Sequence, residues 1–259
     1  MSFEYILTDI RDRIGIISLN RPEKRNALNP ELVGELKTAF TSFFEDDSVK
    51  VIKLRGEGDA FCAGADLAVI KKLKEATYEE NLEDSRHLAE LFEIIRNGAK
   101  PVVAAVHGHA IAGGCGLASI CDIVIASKPA KFGYTETRIG FVPAIVARFL
   151  MKKVGETHAR NLLLRGHLIT ADEAARIGLV TETTTAEAFQ ETVGQILEDL
   201  VHKCSGQALH TTKTLINAAG DQTFEEAVNY AVEVNAKSRG SEDCQRGISA
   251  FLDKEKIVW

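Results

Sequence analysis

The chain is poor in the features that would place it in a membrane, on nucleic acid or in a disulfide scaffold. No apolar run approaches the ~20 residues of a bilayer span. The opening Met1-Ser2-Phe3-Glu4-Tyr5 has neither the basic nor the apolar region of a secretory leader. Basic residues are in deficit, 31 Lys and Arg against 37 Asp and Glu, for a net charge of −6. That balance argues against a polyanion or an anionic membrane as the main partner, and leaves room only for a local basic pocket. The five cysteines, Cys62, Cys115, Cys121, Cys204 and Cys244, are odd in number and form no C-x-x-C pair. The expectation is a cytoplasmic protein with reduced thiols. G-x-G-x-x-G, the Gly-Lys-Ser/Thr of a P-loop and His-Glu-x-x-His are all missing. His87, His107 and His109 have no second ligand at metal spacing, so no metal is predicted.

What is present is one glycine-rich stretch, Pro101 to Asp122. Its first residues, to Val106, are apolar and β-leaning, as in a strand buried on both faces. Gly108 breaks the run, and Gly113, Gly114 and Gly116 then leave the backbone bare where a small-residue helix begins. Unpaired N–H groups and the positive end of the helix dipole favour a negative oxygen at such a start. The plainer reading is tight packing. An internal echo favours the first. A strand over 49–54 leads to Ala63-Gly64-Ala65-Asp66 and a helix beginning near Gly64, as 101–106 leads to Ala112-Gly113-Gly114 and a helix. Two such units side by side in a parallel sheet would aim two N–H groups at one point, the geometry of an oxyanion hole.

Elsewhere, 5–8 and 14–19 read as strands joined by a charged turn. Asn29 and Pro30 open a helix whose Leu32, Leu36, Ala39, Phe40 and Phe43 share one face. Thr77 to Glu80 is a capping box starting a helix to about Asn97. The charged segment 71–83 is either a cover over a pocket or a solvated helix face. A buried strand is predicted over 123–126. Glu136 lies among aromatic, Thr and Gly neighbours, where a carboxylate's pKa rises towards neutrality and suits acid/base work. The alternative is an ion pair with Arg138. A helix starts from Pro143, a capping box lies at Thr170 to Glu173, Gly178 closes its helix, and Leu179-Val180 reads as a last buried strand. From Thr184 onward the pattern is helical, with start signals at Thr184–Glu187, Thr223–Glu226 and Ser241. The apolar positions there (Leu209, Leu215, Ile216, Phe224, Tyr230, Val234) exceed what a small bundle buries alone, implying packing on the main domain or another subunit.

Four motifs in order then carry a resemblance: Leu19-Asn-Arg-Pro-Glu-Lys-Arg-Asn-Ala-Leu28, Phe61-Cys-Ala-Gly-Ala-Asp-Leu67, Gly108-His-Ala-Ile-Ala-Gly-Gly-Cys-Gly-Leu117 with Cys121-Asp122, and Phe132-Gly-Tyr-Thr-Glu-Thr-Arg-Ile-Gly140. The later segment Leu163 to Val180 fits as well. Together they resemble the enoyl-CoA hydratase/isomerase (crotonase) family over essentially the whole chain. The resemblance implies an α/β fold, a crotonase-like spiral of repeated ββα units over 1–200 carrying an acyl-CoA site. A helical trimerisation region would follow over 201–259. It implies acyl-CoA thioesters as substrates, with coenzyme A part of the substrate and no separate cofactor. It also implies a homotrimer or dimer of trimers, without nucleic acid or membrane partners. It puts the oxyanion hole on the N–H groups of Ala65 and Gly113 and the acid/base role on Glu136. Arg25, Ala63, Asp66, Leu67, Ala68 and Gly116 are implied substrate contacts.

One departure bears on the reaction. Hydratases of that family usually carry two glutamates, and the first falls on Gly116, which has no side chain. The first reading is a hydro-lyase adding or removing water at an enoyl-CoA double bond with one glutamate. A branched or carboxylated acyl group, such as 3-methylglutaconyl from leucine breakdown, is one candidate for its substrate. The alternative is a Δ3,Δ2-enoyl-CoA isomerase, and a reading from another class is a non-catalytic acyl-CoA-binding scaffold.

Overall fold

A computed structural model describes residues 3–259. The chain enters as a hairpin, β1 (Ile6–Arg11) and β2 (Ile14–Leu19), with Ile6 opposite Leu19. Its two loop residues, Asp12 and Arg13, both have positive φ (47° and 62°). That loop matches the strand twist as a tight primed turn does. Helix α1 (Pro30–Glu45) follows, with the Asn29 side chain accepting the Leu32 N–H and the predicted apolar face buried.

Three strand–strand–helix units then repeat. The first is β3 (Val51–Gly56), β4 (Ala60–Cys62), α2 (Leu67–Lys72) and α3 (Tyr78–Asn97). The second is β5 (Val102–Val106), β6 (His109–Ile111) and α4 (Gly113–Ile120). The third is β7 (Ile123–Ser127), β8 (Lys131–Gly133) and α5 (Ala144–Arg165). After them come β9 (Ile169–Thr170), α6 (Ala171–Arg176), β10 (Glu182–Thr184), α7 (Phe189–Glu198), α8 (Gly206–Ala219), α9 (Phe224–Arg239) and α10 (Glu242–Leu252). The first strand of each unit joins a six-stranded sheet ordered β1-β2-β3-β5-β7-β10; the second joins a four-stranded sheet ordered β4-β6-β8-β9. This alternation is the expected spiral. It also positions the site: β4 and β6 are parallel neighbours, with Ala60 beside His109 and Cys62 beside Ala110. The turns that follow them must therefore emerge side by side.

The six-stranded sheet is covered on both faces, so β5 is buried along its whole length. Ile52, Leu54, Ala104 and Val106 face the main core with α1, α3 and α4, while Val51, Val103, Ala105 and Ile125 face α7 through Phe189, Val193 and Leu197. Each large apolar side chain so buried contributes about 1.5–3 kcal/mol.

Four local expectations are corrected. Leu179 and Val180 are buried but not paired as a strand; both of their N–H groups donate to Ala174 O at the end of α6. The pairing with β7 falls two residues later, on the polar β10 at the sheet edge. Burial and strand pairing part company there because an apolar side chain can fill the core from a turn. Thr184 ends β10 rather than opening a helix; the Ala188 N–H donates to Thr185 Oγ1, and α7 begins at Phe189. The helix expected near Gly64 begins at Leu67, capped by Asp66. Thr170 caps α6 as predicted, but the Glu173 carboxylate turns to Arg176 (3.7 Å).

Among the described residues no helix is long and apolar enough to cross a membrane. Helix α8 docks on the main body, where Lys213 Nζ donates to Ile95 O and Lys100 O and pairs with Asp122. Ala227, Tyr230, Ala231 and Val234 of α9 are half-buried. A second apolar row stays open to solvent, with Phe224 87%, Val232 63% and Phe251 of α10 82% exposed.

Candidate active site

Two turns meet where the parallel pair β4/β6 ends. Gly64 takes φ +95°, which L side chains rarely adopt, and a Cβ built on it would lie 3.0 Å from Ala112 Cβ and 3.7 Å from Gly113 N. Ala112 itself has φ 49° and ψ −125°, a strained conformation for a residue with a Cβ. In each turn the residue before the amide is thus rotated out of ordinary strand geometry, which sets the direction of the N–H that follows. Leu28 staples the two turns: its N–H donates to Gly64 O (2.7 Å) and its O accepts from Asp66 N–H (2.8 Å). Its Cδ1 also lies 3.2 Å from where a Gly113 Cβ would stand. Among the described residues, neither the Ala65 nor the Gly113 N–H donates to a backbone acceptor. Two free amides on touching turns, one at the start of α4, are equipped to hold an oxygen that gains negative charge.

Glu136 approaches from the next strand. Strand β8 runs parallel to β6, and the Ala112 N–H donates to Gly133 O (2.7 Å), joining the strained turn to the strand that leads to Glu136. Tyr134 is fully buried and its OH donates to Ser119 Oγ (3.1 Å), whose own hydroxyl donates to Gly116 O. These bonds lock α4 to the strand. Glu136 opens a short 3-10 turn closed by Gly140. Its Oε2 is buried with no hydrogen-bond partner among the described residues, and burial pushes its pKa up. It forms no ion pair with Arg138, which is exposed. A carboxylate left unpaired in a low-dielectric setting is poised to exchange a proton.

The remaining expected residues divide. Arg25, Ala65, Leu67 and Ala68 are exposed and Ala63 is half-buried, with the Ala63 N–H donating to Arg25 O (3.0 Å). They lie along one pair of joined loops. Asp66 is turned inward: Oδ1 accepts from the Ala68 N–H (2.9 Å) and Oδ2 from Arg21 (2.7 Å). Both side chains of that ion pair are only 10% exposed. Arg21 also donates to Ala27 O and stacks 5.3 Å over the Tyr5 ring. These bonds, with the Ala68 N–H first and Arg21 next, lower the Asp66 pKa. Gly116 is buried, and a Cβ there would lie 2.5 Å from Val146 Cγ1 and 3.2 Å from the Phe92 ring. Apolar side chains therefore occupy the space a carboxylate at that position would need.

Arg21, Val146 and Phe92 are site residues that the sequence pattern does not single out. Arg21 stands inside the first motif and was open to notice; the other two belong to distant helices and carry no local signal. Part of the charged segment 71–83, Lys72 and Glu80 included, lines an open cavity of about 530 Å³ with Arg21, Asp66, Ala68 and Asp84, while most of the segment is solvent-exposed. Ala65, Gly113 and Glu136 do not line it. Among the described residues no group of three His, Cys, Asp or Glu is placed to hold a metal.

The spiral of ββα units and the paired turns define a crotonase-fold α/β protein. The family described as enoyl-CoA hydratase/isomerase matches residues 9–259. A Thermus thermophilus protein with the provisional name enoyl-CoA hydratase is 40% identical over 245 residues, covering 94% of this chain and 96% of that one. The crotonyl-CoA hydratase of Syntrophomonas wolfei is 34% identical, covering 99% and 98%. A crystal structure of enoyl-CoA hydratase from Mycobacterium smegmatis superposes with a TM-score of 0.94 at 28% identity, over 99% of both chains. The chain belongs to the enoyl-CoA hydratase/isomerase family and is an enzyme of it.

Proposed function

We propose that this enzyme is a hydro-lyase of enoyl-CoA thioesters in which one carboxylate, Glu136, does the acid/base work. The observation that carries the reading is the pairing of two free amides, Ala65 and Gly113, with a buried, partnerless Glu136 oxygen reached from the adjoining strand. In the hydration direction the amides hold the thioester oxygen. Glu136 takes a proton from water as the water oxygen bonds to Cβ, and the C=C electrons move to form the enolate. Glu136 then returns its proton to Cα. Each amide is worth about 2.7–4 kcal/mol of barrier by comparison with other oxyanion holes. Arg25, Ala63, Leu67 and Ala68 line the approach of the coenzyme A portion, and Asp66 supports that approach through Arg21 rather than by direct contact.

The apolar wall of Val146 and Phe92 behind Gly116 supports a substrate that does not call on a second protein carboxylate, such as a branched or carboxylated enoyl group of the 3-methylglutaconyl type. The same wall favours a second reading, Δ3,Δ2-isomerisation, in which Glu136 alone carries a proton between carbons. The open rows on α9 and α10 support a trimer or dimer of trimers.

Turnover of 2-enoyl and 3-enoyl thioesters in ¹⁸O-water separates the two. Label in a 3-hydroxyacyl product is the expected result, and an unlabelled double-bond shift would transfer the assignment to isomerisation. Glu136→Gln is expected to lower turnover by about 10²-fold or more while thioester binding persists. Full activity in that variant would remove Glu136 from the reaction.

A further inference from the structure

The sheet face that packs on α7 ends in a small cationic cavity. Along β3, Val51 lies under α7 in an apolar row, and Lys53 and Arg55 continue the same row at the carboxyl end of the strand. Beside them on β5, Val103 pairs with Lys53 and Ala105 with Arg55, and His107 stands two residues beyond Ala105. The small Ala105 side chain leaves a hollow of about 190 Å³, walled by Lys53, Arg55 and His107 and roofed by Phe189 and Gln190 of α7. The carboxyl ends of parallel strands are where α/β sheets tend to receive ligands.

The charges do not balance. Glu57, the carboxylate on the rim, is taken by Arg55 (2.6 Å), whose Nε also donates to Ser18 Oγ. His107 Nε2 lies 2.7 Å from Gly58 O; a carbonyl only accepts, so that nitrogen carries the proton. Among the described residues Lys53 has no counter-charge: burial and then Arg55 both lower its pKa. A half-buried ammonium beside a guanidinium with no anion of its own is a costly arrangement that a bound anion would relieve.

We propose that this hollow is a binding site for a phosphate-class oxyanion, held between the Lys53 ammonium and the Arg55 guanidinium. Tetrahedral oxygens can meet both cations at once, and the guanidinium fork suits them. The hollow admits a phosphate group but not a whole nucleotide. None of its residues belongs to the thioester chemistry above, so the two proposals fail separately.

The test is a ³¹P NMR titration of the full chain with inorganic phosphate at constant ionic strength, in wild type, Lys53→Met, Lys53→Arg and Glu136→Gln. Saturable 1:1 binding is expected in wild type, Lys53→Arg and Glu136→Gln, with affinity at least about tenfold weaker in Lys53→Met. Without phosphate, Lys53→Met should melt no lower than wild type, and added phosphate should raise the melting temperature of wild type, Lys53→Arg and Glu136→Gln more than that of Lys53→Met. No saturation in wild type, or equal affinity in Lys53→Met, overturns the proposal. A parallel titration with adenosine 5′-monophosphate identifies the source. Tighter binding than inorganic phosphate points to the phosphate ester of a nucleotide, and weaker binding points to the free ion.

Discussion

At Glu136, burial and chemistry pull in opposite directions. Its folded-state pKa lies above the ordinary glutamate value because burial disfavours the charged form. The folded state therefore holds the proton more tightly than the unfolded chain. Any stability this gives is present at low pH and lost as pH rises through the raised pKa. Glu136→Gln should then match wild type near pH 4 and be more stable near pH 8, in urea unfolding followed at both pH values. Equal stability at both would mean the carboxylate is not desolvated. Gly116 is the complementary position. Gly116→Glu forces a side chain onto Val146 and Phe92 and should destabilise by about 1–3 kcal/mol or more. Adding Val146→Gly should recover part of that loss, measurable as coupling in a double-mutant cycle. The sequence made Glu136 and the two amides legible because short motifs carry them. It could not disclose the wall behind Gly116, since Phe92 and Val146 meet it only through tertiary packing.

Among the elements, the loops 20–28 and 63–66 behave as one clasp, held by the buried Arg21–Asp66 pair and by Leu28. Removing one partner of a buried pair leaves a charge with poor compensation. Arg21→Met should cost about 3 kcal/mol or more in denaturant unfolding. Arg21→Met with Asp66→Asn should cost less than the two single effects added together. Because the Asp66 pKa is lowered, the clasp stabilises above the ordinary aspartate range and its contribution fades as pH falls through the depressed value. Helix starts were readable wherever a cap is a local bond: Asn29, Thr77, Thr223 and Ser241 all accept the predicted N–H groups. The strands β4, β6, β8 and β9 were not, because two or three residues carry no period. Yet these strands bring the two turns together, so the site's scaffold was less visible than its residues.

For the whole molecule, the spiral stacks its units so that every second strand feeds the small sheet, and the last helices fold back over the first units. The C-terminal Trp259 illustrates the closure: its N–H donates to His202 O, its O accepts from Arg13, and its ring lies 4.5 Å from the Arg246 guanidinium. In the proposed assembly, the apolar rows left open by that closure are the contact surface between subunits. Phe224→Asp with Phe251→Asp should shift the sedimentation coefficient to that of a smaller species while far-UV circular dichroism stays native. An unchanged coefficient would place the interface elsewhere. The parallel sheet and the helical tail were legible as patterns, but which apolar row of α9 stays exposed was not, because the helix carries two, Ala227, Tyr230, Ala231 and Val234 on one side and Phe224, Val228 and Val232 on the other.

The proposed reaction rests on two amides polarising one thioester oxygen, and isotope-edited infrared spectroscopy of a bound ¹³C=O-labelled acyl-CoA measures this directly. The carbonyl band should fall in frequency when the thioester binds to wild type, and remain lowered in Glu136→Gln, where the amides are untouched. A bound carbonyl absorbing at its frequency in water or above would contradict the assignment of Ala65 and Gly113.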